Sequence, residues 1–361
     1  MNATEKRKVS HVDVCLKGKV EARQKKSGFS EIDFVHCALP ELDFAKIDAK
    51  TMFLGKKLKA PIIIEAITGG HKMGGEINRA LAKAAQEQGI ALGLGSQRAM
   101  LENVALSSTY KIRDVAPDVF IMGNIGIAQL RKYDAQKIAW AASTIDADAL
   151  AVHLNPLQEL VQPEGDRNFE GCLKLIERLC EQVPVSIIAK ETGAGISPEV
   201  AVKLEDAGVA AIDVAGAGGT SWSGVEMLRS RAASDGAFWD WGIPTAVSTA
   251  LAARAVKIPV ICSGGVRSGV DVAKGIALGA SLGGAALPFL RAWGKGGSKA
   301  VSALAAEWVN ELKIAMALTG SRNIRELGNA KLIVTGNTSE TLCAFGCFPA
   351  SFISREQARR Q

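Results

Sequence analysis

The sequence is poor in aromatic residues and in histidine, and it has no long apolar run. Aromatics make up 5% of its 361 residues, and there are four His. No apolar stretch reaches the roughly 18 residues a membrane-spanning helix needs, so an integral membrane protein is excluded. The seven cysteines (15, 37, 172, 180, 262, 343 and 347) are odd in number and form no CxxC pair. With so few His beside them, they speak against a zinc site and against a disulfide framework. They read as buried thiols of a reducing cytoplasm, with Cys343 and Cys347 serving packing. The polar start MNATEKRKVSHVDVCLKGK has no apolar core and does not read as a secretory signal.

One-sided charge is also missing from the body of the chain. The net charge is +6, from 43 basic and 37 acidic residues. Residues 1–26 hold eight Lys/Arg against three Asp/Glu, and residues 354–361 hold three against one. The stretch between them is close to neutral. A nucleic-acid reader would carry its basic face on the folded body, with stacking aromatics, so nucleic acid is not expected as a partner. A basic end is either a solvated tail or an arm that folds over an anionic small molecule.

What the chain has in plenty is glycine, 37 residues, and a repeated unit. Eight short apolar runs end in Gly or a polar residue. They are 61–68 (PIIIEAIT), 90–96 (IALGLGS), 118–124 (DVFIMGN), 149–155 (ALAVHLN), 185–191 (VSIIAKE), 211–216 (AIDVAG), 259–265 (PVICSGG) and 280–287 (ASLGGAAL). Helical stretches lie between them, at 76–88, 169–182, 266–278 and 301–318, with Ser197 and Pro198 opening another. Continuous apolar strands alternating with helices mean parallel strands buried on both faces. Eight such units predict an α/β fold, a (β/α)8 TIM barrel, over a doubly wound sheet. Residues 1–60 form an N-terminal extension. Residues 61–361 form the barrel with its C-terminal helices. A long loop after strand six, 217–258, carries Trp222, Trp239 and Trp241. It belongs either to the active face or to a contact with a neighbouring subunit.

Barrel enzymes place reactive groups at the C-terminal ends of their strands. SGGVRSG after strand seven and GGAAL after strand eight suit a phosphate, because Gly lets backbone N–H groups approach its oxygens. Arg267 would add charge there. Lys190 ends the fifth strand. A buried Lys there forms a Schiff base, neutralises a cofactor, or sits in a salt bridge. With Thr68, Ser96 and Asn124 it suits a flavin mononucleotide, whose reduced ring a Lys stabilises. His153, Asn155, Gln158 and Glu159 cluster in HLNPLQE. One carboxylate is enough to hold Mg²⁺ against substrate phosphates. Arg7 and Lys8 with His11 suit a diphosphate.

These motifs, taken in order, resemble the type 2, FMN-dependent isopentenyl-diphosphate isomerase family. The resemblance rests on RKVSH at 7–11, LPELDF at 39–44, ITGG at 67–70, GSQRAML at 95–101 and GNIG at 123–126. It continues through HLNPLQELVQPEGDRNF at 153–169, KETGAGIS at 190–197 and AGAGGTSWSGVE at 215–226. DWGIPT at 240–245 and SGGVRSGVDVAKGIALGA at 263–280 complete it. Ile67 departs from the Met common in that family. The resemblance implies a 1,3-allylic proton shift between isopentenyl and dimethylallyl diphosphate in isoprenoid biosynthesis. It further implies reduced FMN as acid/base, Mg²⁺, reduction of the flavin by NADPH or NADH, and a homo-oligomer, tetrameric or larger. Ile67, Thr68, Gly69, Ser96, Asn124, Lys190 and Thr220 would contact FMN. Gly265, Val266, Arg267, Ala286 and Leu287 would hold its phosphate side. Arg7, Lys8, His11, Ser96, Arg98, His153, Asn155 and Gln158 would meet the substrate, and Glu159 the metal. Gln158, Lys190 and His153 would be the catalytic group, with Gln158 orienting rather than titrating. The alternative is an FMN-dependent α-hydroxy-acid dehydrogenase or oxidase on the same barrel. That chemistry calls for a His base after strand six, and no His follows His153.

Overall fold

The computed structural model describes residues 3–230, 236–347 and 352–354. The basic C-terminal run lies outside the described residues apart from Ser354. Eight parallel strands close into a barrel in which each strand pairs with the next and the eighth returns to the first. The strands are β1 (Ile62–Ile64), β2 (Ala91–Gly93), β3 (Ile121–Gly126), β4 (Ala149–His153), β5 (Ser186–Lys190), β6 (Ala211–Asp213), β7 (Val260–Ser263) and β8 (Leu282–Ala285). Each lies within the apolar run that predicts it, except that β3 extends two residues further. Their residues are buried almost without exception, as a sheet covered by helices on the outside and filled on the inside requires. Gly283 opposite Ile62 closes the barrel at β8–β1.

Ile63, Met122, Ile188, Ile261 and Leu282 join Phe53 and Leu58 in one buried cluster. Phe53 and Leu58 come from the hairpin Thr51–Phe53/Lys56–Leu58. Phe53 meets Phe120 edge-on, with ring centroids 5.3 Å apart. Phe120 precedes β3, so the hairpin covers the N-terminal end of the barrel and leaves the opposite end as the open mouth. A small sheet outside the barrel pairs Ile32–Phe34 with Leu332–Val334, and the latter with Phe352–Ser354. Nothing in the strand periodicity announces this long-range pairing.

The helices follow local signals. The first is α1 (Ala3–Lys17), inside the basic N-terminal end, where Val12 and Cys15 are buried. Next come α2 (Lys72–Gln88), α3 (Pro156–Val161) and α4 (Pro198–Asp206). Ser197 caps α4 by accepting from the Val200 N–H, and Pro198 occupies its first turn as expected. The connection after β6 is not a bare loop. It carries α5 (Trp222–Ser230) and α6 (Thr245–Ala255). After β7 comes α7 (Gly269–Ala277), capped by Ser268. After β8, α8 (Leu287–Leu318) begins 14 residues before the expected helix. Its backbone kinks at Gly296 and Gly297, and that kink breaks the pattern read from sequence.

The expectation of buried thiols holds for part of the set. Cys15, Cys262 and Cys347 are buried, Cys343 is exposed, and no cysteine is paired.

Candidate active site

One cavity opens at the C-terminal mouth of the barrel. At its floor, the β5 strand end sends Lys190 inward. Its ammonium donates to Asp213 Oδ2 and to Ser263 Oγ (3.3 Å) and stands 3.0 Å from Glu65 Oε2. Ser263 in turn donates to Asp213 Oδ1 (2.6 Å). Burial opposes the charge on Lys190, but the two carboxylates overcome it and hold the ammonium well above its usual range. Burial first, and the nearby Asp213 second, push the Glu65 carboxyl up. These two carboxylates are absent from the sequence expectation. The signal that could have found them is a charge inside an otherwise apolar strand run, in PIIIEAIT and in AIDVAG.

His153 ends β4 in register with Lys190 on β5. Its Nδ1 lies 2.7 Å from Asn124 Oδ1 on β3. Burial, then Lys190, Lys8 and Arg7, lower its pKa to about 3. The imidazole is therefore neutral at physiological pH, a hydrogen-bonding group rather than an acid. Asn124 is itself positioned by Gln97, whose Oε1 accepts from its backbone N–H (3.1 Å).

Past His153 the chain turns at Asn155-Pro156 into α3, which brings Gln158 and Glu159 to the cavity wall. The Asn155 amide donates to Gln158 Oε1 and to Glu159 Oε1, both at 3.1 Å. Glu159 Oε2 accepts from the Asp166 N–H (2.7 Å). Among the described residues there is no cluster of three metal-ligating side chains. Gln158 Nε2 donates to Glu226 Oε1 (2.8 Å), a fully buried carboxylate on α5. Burial works against that charge, yet hydrogen bonds with His11, Gln158 and Arg229 lower its pKa to about 2. Glu226 lies 68 residues from Gln158 in sequence, and no local pattern marks it.

In the basic N-terminal end, α1 lays Arg7, Lys8 and His11 on the cavity wall. Lys8 donates to the Ser96 carbonyl (2.5 Å) and to the Tyr110 hydroxyl (2.8 Å). It has no carboxylate partner among its described contacts. Burial, then Arg7, bring its pKa down to about 7. Arg7 is likewise lowered by burial and by Arg98. His11 Nε2 sits 2.9 Å from Glu226 Oε1. With its amide oriented so that both ends are satisfied, Gln162 donates to Glu226 Oε1 (3.1 Å) and accepts from Arg7 Nη1 (3.0 Å). Arg98 is held by Glu102 (2.7 Å), which also accepts from Thr4 near the start of α1 (2.8 Å).

The other side of the cavity is backbone-rich. Gly264 and Gly265 both take positive φ, 98° and 72°. A Cβ on Gly265 would come within 2.9 Å of the Ser27 side chain, so glycine is required there by crowding as well. No side chain caps the start of α8 at Ala286-Leu287, so its first N–H groups face the cavity end free of a side-chain acceptor. Arg267 departs from the simple expectation. Its guanidinium is engaged by Glu21 (2.7 Å), which also holds Arg291 (2.9 Å).

Of the residues expected from sequence, Arg7, Lys8, His11, Ile67, Thr68, Ser96, Arg98, Asn124, His153, Asn155, Gln158, Glu159, Lys190, Thr220, Gly265, Arg267, Ala286 and Leu287 line this single cavity. Gly69 and Val266 do not. Val266 is fully buried, and a Cβ on Gly69 would strike the Tyr110 ring. Both support the wall from behind. Trp222 of the long connection also reaches the cavity.

Comparison with known proteins gives three findings. The sequence model of the FMN-dependent dehydrogenase family matches residues 2–152 and 134–334. The chain is 47% identical over 350 residues to the isopentenyl-diphosphate delta-isomerase of Methanosarcina mazei, which covers 95% of both chains. It is 48% identical over 356 residues to the enzyme of that name from Methanococcoides burtonii, at 96% and 97% coverage. Among solved structures it is similar to a lactate oxidase of Pediococcus acidilactici, with a TM-score of 0.68 and 18% identity over 92% of this chain and 93% of that one. A mandelate oxidase variant gives a TM-score of 0.64 at 18% identity, over 92% and 100%. These last two likenesses establish the barrel and nothing about substrate.

Proposed function

The chain belongs to the FMN-dependent, type 2 isopentenyl-diphosphate delta-isomerase family, and from that membership we propose how its cavity divides the work between cofactor and substrate. It catalyses the 1,3-allylic proton shift between isopentenyl and dimethylallyl diphosphate, a step of isoprenoid biosynthesis. The observation that carries the reading is near-half identity along almost the full length of both chains. The cavity supports it by bringing the cationic arm and the HLNPLQE cluster onto one wall.

The cavity fits FMN. It offers uncapped helix N–H groups and open glycine backbone for a phosphate, and Thr68, Asn124 and Lys190 for a polar ring edge. Reduced FMN supplies the acid/base group for the alkene. Lys190 keeps a fixed positive charge at the floor, and Ile67, Thr68, Gly69, Ser96 and Thr220 shape the adjoining wall. Gly265, Ala286 and Leu287 line the phosphate side, with Val266 behind it and Arg267 at its edge, held by Glu21.

Arg7, Lys8, His11, Ser96 and Arg98 bind the diphosphate. Lys8 is the group most changed by it, since an adjacent anion restores the proton that burial disfavours. Glu159 fits Mg²⁺, which keeps waters and diphosphate oxygens as its remaining ligands. Asn155 holds Glu159 and Gln158 in place through one amide. Gln158, fixed by Glu226, and neutral His153 face the hydrocarbon end and orient it without titrating. NADPH or NADH reduces the flavin beforehand. Residues 1–60 act as an extension bearing the arm, and 61–361 as the FMN-binding barrel. Exposed Phe238 and Trp241 of the long connection support a homo-oligomer, tetrameric or larger. Unpaired cysteines and the absence, among the described residues, of any helix fit to cross a membrane support a cytoplasmic enzyme.

The α-hydroxy-acid oxidase reading loses on the same cavity, whose wall after β6 offers Thr220 and Trp222 and no His. The test is an isomerase assay with FMN and Mg²⁺, run with and without a reductant. Turnover of isopentenyl diphosphate only after reduction is the expected result. Equal turnover with oxidised flavin contradicts the assignment of the proton-transfer group.

A further inference from the structure

Lys190 is surrounded by more negative charge than it needs. Asp213 alone balances it, through one direct bond and through Ser263, which bridges the pair. Glu65 then stands as a second carboxylate against the same ammonium, 3.0 Å away at Oε2. Neither of its oxygens has a hydrogen-bond partner among the described residues, and the residue is 3% exposed. Its backbone N–H pairs with the Ala285 carbonyl, so its position at the β1 strand end is fixed. Closely placed Gly284 on β8 leaves room for its Oε1. The titratable groups bearing on Glu65 are Lys190 from β5 and Asp213 from β6. Ser263 on β7 and Gly284 on β8 bring none, and His153 on β4 is neutral.

A buried carboxylate with no hydrogen bond and one shared counter-ion is costly, and protonation removes that cost. With every group charged, the cluster of Lys190, Asp213 and Glu65 carries a net −1. A reduced flavin anion in the same cavity adds another negative charge. We propose that Glu65 is a proton store coupled to the flavin's redox state: it carries a proton whenever reduced FMN occupies the cavity, and it releases that proton on reoxidation in alkaline solution. Glu65 acts through Lys190, which it leaves as an effective cation for the reduced ring.

The balance is simple. A two-electron reductant, chemical or pyridine nucleotide, delivers two electrons, and one proton accompanies them to give the reduced FMN anion. A second proton passes from solvent to the Glu65 carboxylate. Oxidation reverses both. The inference rests on the proposed placing of FMN beside Lys190.

The test is the flavin midpoint potential of the holoenzyme between pH 7 and 9.5. Each proton taken up with two electrons changes the midpoint by about 30 mV per pH unit, since a pH unit is a tenfold change in proton activity. The wild type is expected to show a break, with the slope doubling on its alkaline side as oxidised Glu65 loses its proton. Glu65→Gln is expected to keep the single-proton slope throughout, with its flavin still bound. A merely structural role for Glu65 would move stability but not this slope. A single-proton slope in flavin-loaded wild type overturns the proposal alone. So does the same doubling in Glu65→Gln or, should that variant not fold, in Glu65→Ala. A purified protein that takes up no FMN overturns the cofactor reading, and the proposal with it.

Discussion

The cavity holds two buried lysine clusters, one on the barrel floor and one on the arm, and they are built in opposite ways. On the floor, Lys190 faces two carboxylates and a hydroxyl, and its proton is held more tightly than in water. On the arm, Lys8 faces a carbonyl and a phenol, with Arg7 beside it, and its proton is held less tightly. The floor is compensated before any ligand arrives, and the arm is not. A compensated site suits a resident cofactor, whose change of charge the proposed protonation of Glu65 absorbs. An uncompensated one suits an anionic substrate that comes and goes, as proposed for the diphosphate. The carboxylates that do reach the arm, Glu226 and Glu102, engage His11 and Arg98 instead. They position the arm without neutralising its two leading cations.

The largest expected effect separates the two clusters outright. On the proposed reading, deleting residues 1–11 removes at least two charge-assisted contacts to the diphosphate. At about 1.5–3 kcal/mol each, this should raise KM by roughly 10²–10⁴-fold. FMN content measured by absorbance should stay unchanged. An unaltered KM would return the N-terminus to a solvated tail.

The next variant strikes the floor. Lys190→Met leaves Asp213 and Glu65 buried without a counter-ion, a loss of about 3–5 kcal/mol. Glu65 can relieve part of it by taking a proton, so the low end applies at neutral pH. A fall in Tm of roughly 4 °C in a thermal melt is expected at neutral pH, with a smaller fall under acid conditions. A melt indistinguishable from wild type at neutral and alkaline pH would mean the carboxylates find other partners.

A smaller change bears on the wall between the clusters. Glu159→Gln keeps the hydrogen bond from Asn155 but loses the carboxylate proposed to hold the metal. The Mg²⁺ concentration for half-maximal activity should rise by about tenfold or more, with FMN still bound. Loss of flavin from this variant would mean the residue belongs to the cofactor side.

The floor and the arm also differ in how far the sequence reveals them. The barrel is legible because each strand is a continuous apolar run and each run ends at the mouth. Lys190, Asn124 and His153 follow from that alone. Their partners do not. Glu65 and Asp213 look like interruptions in apolar strands until the barrel closes and sets β1, β5 and β6 around one ammonium. Glu226 is harder still, because only the packing of α5 on α3 brings it to Gln158. The arm shows the limit of charge arithmetic. A net excess of basic residues at 1–26 fits a tail as well as an arm. What decides is the burial of Val12 and Cys15, which seats α1 on the barrel. Arg267 shows the converse, a cation well placed by its motif but already occupied by Glu21 of the same N-terminal segment.

The contrast between the clusters is tested most directly by counting protons. Calorimetric titration of isopentenyl diphosphate into the FMN-loaded enzyme at pH 8.5, in buffers of different ionisation enthalpy, reports protons taken up on binding. Lys8, lowered to about 7 in the free enzyme, is then mostly neutral and should regain its proton against the diphosphate. An uptake close to one proton is expected in the wild type, and close to none in Lys8→Gln. No uptake in the wild type, or equal uptake in both, would contradict an arm left uncompensated for its substrate.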